Sequence, residues 1–262
     1  MTTMNKYDRA RRNDFIKRSY RDQADRDYIA ARAVHRMGLT DQFLWIALMS
    51  VEKYLKAILL FNDHPTHGIK HNIDDALNRV FRIKGLRCDF TKQEHAFVKY
   101  LADQGQDRYF ERFRYTSGEE LLNLDALVWS VRRYCDDYFF PFDPAQQIHT
   151  KYQRAFLHSL SEPSLRKTPH KFRLRSKGII EEILDTKKHL SLQPVLTWKN
   201  LYFGKRRKAV VRVQIKSTQA NPSTFLYPEI YSWLIKHVPL DKKTRTLLNE
   251  FRARQQIGEP SR

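Results

Sequence analysis

Cysteine is nearly missing from this chain: Cys88 and Cys135 are the only two in 262 residues, far apart and in no CxxC context. That excludes a disulfide framework and a thiolate metal site. Glycine is scarce as well, with 8 residues, and neither G-x-x-x-x-G-K-[ST] nor G-x-G-x-x-G occurs. The common phosphate-cradling loops are therefore lacking. Long apolar runs are absent too, because Ser50, Glu52, Lys53 and Lys56 interrupt the one stretch long enough to consider as a membrane span. The opening segment MTTMNKYDRARRNDFIKRSYRDQADRD has no apolar core of a secretory signal, and its five aspartates argue against a mitochondrial presequence. The expectation is a cytoplasmic protein with no membrane partner.

Acidic residues run short only in the second half. Residues 1–144 hold 24 Lys and Arg against 21 Asp and Glu, whereas residues 145–262 hold 24 against 8. Of the net charge of +19, +16 therefore lies beyond residue 144. A polyanionic partner fits that excess, and nucleic acid fits better than anionic lipid because no apolar anchor accompanies the charge.

The richest apolar stretch is residues 40–62, where Leu44, Leu48, Val51, Leu55 and Ile58 recur at helical spacing and Ala47, Tyr54 and Phe61 widen the stripe. Such a helix needs cover on more than half its circumference, as at the centre of a bundle. Around it the pattern predicts helices over 19–37, 73–83, about 92–104 and 120–140, with Thr40 and Asn72 as N-caps. Thr91 to Glu94 and Ser117 to Glu120 read as capping boxes. The fold class expected is mainly α: an antiparallel bundle of about five helices over 1–144, a helix and basic linker over 145–178, and a small basic module over 179–262. In that module 195–203 (VLTWKNLYF) and 209–216 (AVVRVQIK) read as strands of a β-hairpin with Lys205, Arg206, Arg207 and Lys208 at its tip.

Three segments carry a family likeness. VEKYLKAILL (51–60), GIKHNIDDAL (68–77) and YFERFRYTSGEELLNLDALVWSVRRYC (109–135) resemble the HEPN family of helical bundles over residues ~20–140. The first match is close. In the second Gly68 and His71 are separated, and in the third only Arg114 and Tyr115 carry over. The resemblance implies one of two functions. Many members are metal-independent ribonucleases with an Arg-x(4–6)-His motif paired across a homodimer, and that motif is absent here: residues 96–148 contain no histidine. The other branch binds nucleotides or pairs with a nucleotidyltransferase, in toxin–antitoxin or defence systems, and this sequence fits it better.

Candidate residues follow. Glu52, Lys53, Lys56, His71, Arg114 and Tyr115 suit a nucleotide, with cations for phosphates, His71 for a hydrogen bond, and Trp45 or Tyr115 for stacking. The competing reading is structural, with Glu52 paired to Lys56 or Arg114. Arg173, Arg175 and Lys205–Lys208, interleaved with Phe172, Trp198, Tyr202 and Phe203, suit single-stranded nucleic acid, RNA ahead of DNA. A divergent ribonuclease is the alternative, rebuilt from Arg114 with His149 or His158. The loop histidines His64, His67 and His71 lack an obvious fourth ligand, and no metal or cofactor is expected. A homodimer through bundle helices is expected from the resemblance.

Overall fold

The periodic stretches become helices in the computed structural model, which describes residues 6–105, 114–136, 151–185, 189–204, 218–220, 222–240 and 242–256. In chain order these are α1 (Lys6–Ile16), a π-helical turn (Lys17–Arg21), α2 (Asp22–Arg36), α3 (Thr40–Phe61), α4 (Ile73–Phe81), α5 (Lys92–Gln104), β1 (Arg114–Thr116) and α6 (Glu120–Arg132). Then come α7 (Lys151–Leu160), α8 (Pro163–Lys167), α9 (Ile179–Asp185), α10 (Leu192–Thr197), β2 (Thr218–Ala220), α11 (Tyr231–His237) and α12 (Lys242–Gln256). The protein is mainly helical, and among the described residues no helix is long and apolar enough to cross a membrane.

The chain divides into two compact units, residues 1–106 with 120–213 and residues 107–119 with 214–262. In the first, α3 is the central helix and packs against α1, α2, α4, α5 and α6. Leu44, Leu48, Val51, Tyr54, Leu55 and Ile58 are fully buried on it. Gly38, at φ +77°, ends the preceding helix in a left-handed turn that other residues adopt at a cost. That turn is so short that Thr40 is already helical, and Leu39, not Thr40, holds the N-cap position with no side-chain cap. Asn72 caps α4 by accepting from the Asp75 N–H at 2.9 Å. Thr91 and Glu94 form the expected capping box on α5. Ser117 accepts from the Glu119 N–H at 3.3 Å ahead of α6.

Three expectations for the second half need correction. The stretch 163–178 is no free linker, and the compact units do not divide at residue 144. Leu160, Ile180, Ile183, Leu184, Leu196 and Phe203 belong to the same core as α3. Gly178 shows how closely this part fits: a Cβ there would lie 2.8 Å from Arg132 Nη2 and 3.0 Å from Asp25 Oδ2. Residues 195–203 are not a strand either, since α10 and a turn occupy them. Buried side chains satisfy the backbone there in place of a ladder. Arg32 donates to the carbonyls of Val195 (3.0 Å) and Trp198, while the Asn200 amide donates to Leu196 O and its Oδ1 accepts from the N–H of Tyr202 and Phe203. The second predicted strand, 209–216, lies outside the described residues.

In the second unit β1 and β2 pair antiparallel, with Arg114 opposite Ala220, Tyr115 opposite Gln219 and Thr116 opposite Thr218. Its small core gathers Tyr231, Leu234, Leu240 and Leu248, with Phe225, Ile235 and Val238 against them.

Candidate nucleic-acid interface

The polar strip of α3 does converge with the His71 loop. Glu52 is buried to 3% exposure. Its carboxylate accepts from Lys56 Nζ at 2.5 Å and lies 3.0 Å from His71 Nδ1. Lys56 also donates to the carbonyl of Lys70 at 3.0 Å, and the Trp45 and His71 rings sit 6.4 Å apart. Three predicted residues, Glu52, Lys56 and His71, are thus together. Lys53 is ion-paired with Asp27. Chemically the cluster is nearly neutral, because each lysine already faces a carboxylate. It ties the loop at 68–72 to the central helix, and Glu52 takes Lys56 and His71 as partners.

Arg114 and Tyr115 belong to the second unit. Arg114 is buried, and burial lowers its guanidinium pKa, while Tyr115 is exposed. His158 is exposed on α7 with Nδ1 3.2 Å from Glu162 Oε1, and His149 lies outside the described residues. Among the described residues no three His, Cys, Asp or Glu side chains gather to hold a metal ion.

Much of the basic character of the first unit is directed inward. Arg132 on α6 is buried between Asp25 and Glu181, donating to Asp25 at 2.7 and 2.9 Å and to Glu181 at 2.7 and 2.6 Å. Asp25 further accepts from Tyr54 Oη at 2.5 Å and the Ile180 N–H at 3.2 Å. Burial alone would push the Glu181 carboxyl up, but the guanidinium of Arg132 and the N–H groups of Leu174 and Gly178 hold it down at about 2. Burial alone would lower the Arg132 pKa, yet the two carboxylates raise it well above its ordinary value. Arg32 is likewise buried against Asp125.

The basic run beginning at Arg166 meets the same fate in part. Arg166 donates to Asp89 and Glu94, both at 3.0 Å, and its guanidinium lies 5.6 Å from the Trp129 ring. Those carboxylates outweigh burial and raise its pKa. Arg173 donates to the carbonyls of His170 and Phe172 at 2.8 Å, and Arg175 lies 5.4 Å over the Phe156 ring. Lys205, Arg206, Arg207 and Lys208 fall outside the described residues. Of the aromatics read as interleaved with these cations, Phe203 is buried, Phe172 and Tyr202 are half-buried, and Trp198 is exposed.

A row of outward-facing cations that the sequence analysis does not single out lies on α12. Lys242, Arg245, Asn249 and Arg252 recur at steps of three, four and three, all exposed, while Thr244 and Leu248 are buried. Among the described residues no carboxylate pairs with Lys242, Arg245, Arg252 or Arg254. Arg252 Nη1 reaches Ser232 Oγ at 3.3 Å, next to Trp233, which is 55% exposed. The signal was present in the spacing of KKTRTLLNEFRARQQ, whose only acid is Glu250. No family model matches the chain, and no curated protein or solved structure matches it either.

Proposed function

We propose that this chain is a HEPN-like helical protein that binds single-stranded nucleic acid, RNA ahead of DNA, through the basic face of α12, and that it performs no chemistry on its ligand. The observation that carries the reading is the row of exposed cations Lys242, Arg245 and Arg252, with Arg252 bonded to Ser232, whose chain neighbour Trp233 is exposed. Cations without carboxylate partners neutralise phosphates, and an exposed indole offers a face on which bases stack. The nearly neutral Glu52–Lys56–His71 cluster supports a phosphate ligand less well. Absence of the Arg-x(4–6)-His spacing supports the non-catalytic half of the reading.

Fluorescence anisotropy of a labelled single-stranded RNA tests it. Affinity should fall steeply with salt, and the K242Q/R245Q/R252Q triple variant should flatten the slope of log K against log salt by about 2, at roughly 0.7 per lost phosphate contact. Absent binding at low salt, or an unchanged slope in the variant, would overturn the assignment. RNA cleavage in EDTA that vanishes in Arg114→Ala would overturn the non-catalytic half.

A further inference from the structure

A second feature, on the first unit, has the chemistry of a nucleotide subsite. Trp198, just after α10, is 39% exposed, although the backbone that carries it is gripped from within. Its carbonyl accepts from the buried Arg32, its N–H donates to Pro194 O at 3.0 Å, and the Asn200 side chain pins the following turn. The indole is therefore held in place at the surface. Two cations lie over its ring: Arg36 Cζ and Lys199 Nζ are each 5.0 Å from the centroid. Lys199 reaches its position from a left-handed backbone at φ +48°, unusual for a residue with a side chain. Among the described residues neither Arg36 nor Lys199 has a carboxylate partner, unlike Lys53, Lys56, Arg132 and Arg166 of the same unit.

We infer that Arg36, Trp198 and Lys199 form a binding site for a nucleotide unit, the base against the indole and the phosphate between the two cations. An exposed cation–aromatic contact stabilises a surface only slightly, whereas stacking of a base on an aromatic ring strengthens binding substantially. Two uncompensated cations around one partly open indole match a phosphate-bearing aromatic ligand. The inference goes beyond the α12 reading, because this site belongs to the other unit and stands or falls by its own residues. The nucleotide unit has two possible sources, a single strand or a free mononucleotide.

The test uses the full chain with a labelled single-stranded oligonucleotide, a duplex of the same sequence, and AMP. Trp198→Ala should weaken the single strand about ten-fold and leave the duplex unchanged, while Trp198→Phe, which keeps a ring, should retain most of the affinity. The R36Q/K199Q double variant leaves the indole in place and should weaken the same ligand. Quenching of tryptophan fluorescence by AMP that is lost in Trp198→Phe would assign the site to free nucleotides; loss confined to the oligonucleotide would assign it to strands. Wild-type affinities in both Trp198→Ala and R36Q/K199Q would overturn this site while leaving α12 standing. Failure of the wild-type protein to bind any of the three ligands would overturn both.

Discussion

Replacing Glu181 by glutamine would expose how the segment from Leu174 to α9 is fastened within the first unit. Its carboxylate accepts two hydrogen bonds from Arg132 and one each from the N–H groups of Leu174 and Gly178. All four partners are donors, so a glutamine amide must turn its own N–H toward some of them. In the folded chain the carboxyl pKa is held at about 2 against an ordinary 4.5. At 1.36 kcal/mol per pH unit the difference amounts to roughly 3 kcal/mol of stability. Because the folded pKa is the lower one, this stability is fully present above the unfolded value. It is lost as pH falls through the window from 4.5 to about 2. Urea unfolding followed by tryptophan fluorescence is a suitable assay, since Trp45, Trp129 and Trp198 lie in the first unit and Trp233 in the second. Glu181→Gln should unfold roughly 3 kcal/mol more easily at neutral pH, the scale for breaking one side of a buried ion pair. Near pH 3 the gap should shrink to about 1.4 kcal/mol, because the carboxyl of the unfolded wild-type chain is by then protonated while that of the folded chain is still mostly ionised. A gap under about 1 kcal/mol at neutral pH, or one that does not narrow on acidification, would refute the reasoning.

Two further outcomes are expected. Arg166→Ala should destabilise the first unit by roughly 1–2 kcal/mol in thermal or urea melts, because it takes a charged donor from Asp89, which keeps Arg133, and from Glu94, which keeps Ser130 and the Thr91 N–H, yet it should leave RNA affinity unchanged. Native protein should resist iodoacetamide at mildly alkaline pH. Burial pushes the Cys88 thiol up to about 12 and raises Cys135 as well, so both should label, by mass spectrometry, only on unfolding.

The local signals in the sequence are mostly legible where they depend on near neighbours, the Thr40 cap excepted, since the turn at Gly38 puts Leu39 in that position. The stripe of α3, the Asn72 cap and the Thr91–Glu94 box are all matters of residues within four positions of each other, and all three are present. What depends on distant residues was not legible. VLTWKNLYF has the composition of a strand, and only Arg32, more than 160 residues away, supplies the donor that makes a helix and turn of it. The run from Arg166 to Lys177 looks like a solvated linker because Asp89, Glu94 and Asp136, which receive its donors, lie tens of residues earlier. At the candidate site, the proximity of Glu52, Lys56 and His71 was legible through the i,i+4 spacing and the following loop. Their mutual neutralisation was not.

A formal charge of +19 therefore says less about binding than where each cation finds its counter-ion. Arg132 sits between two carboxylates and Arg166 between another two, so for a ligand these side chains are absent, however basic the segments look. Removing them acts on folding. Exposed cations left without carboxylates, among them Lys242, Arg245 and Arg252 on α12 and Arg36 and Lys199 beside Trp198, are ones whose field reaches solvent. Trp198 stands beside its two cations, and the exposed Trp233 follows Ser232, the residue that Arg252 reaches. Charge alone attracts any polyanion, but charge beside an exposed ring favours a ligand whose phosphates come with unpaired bases.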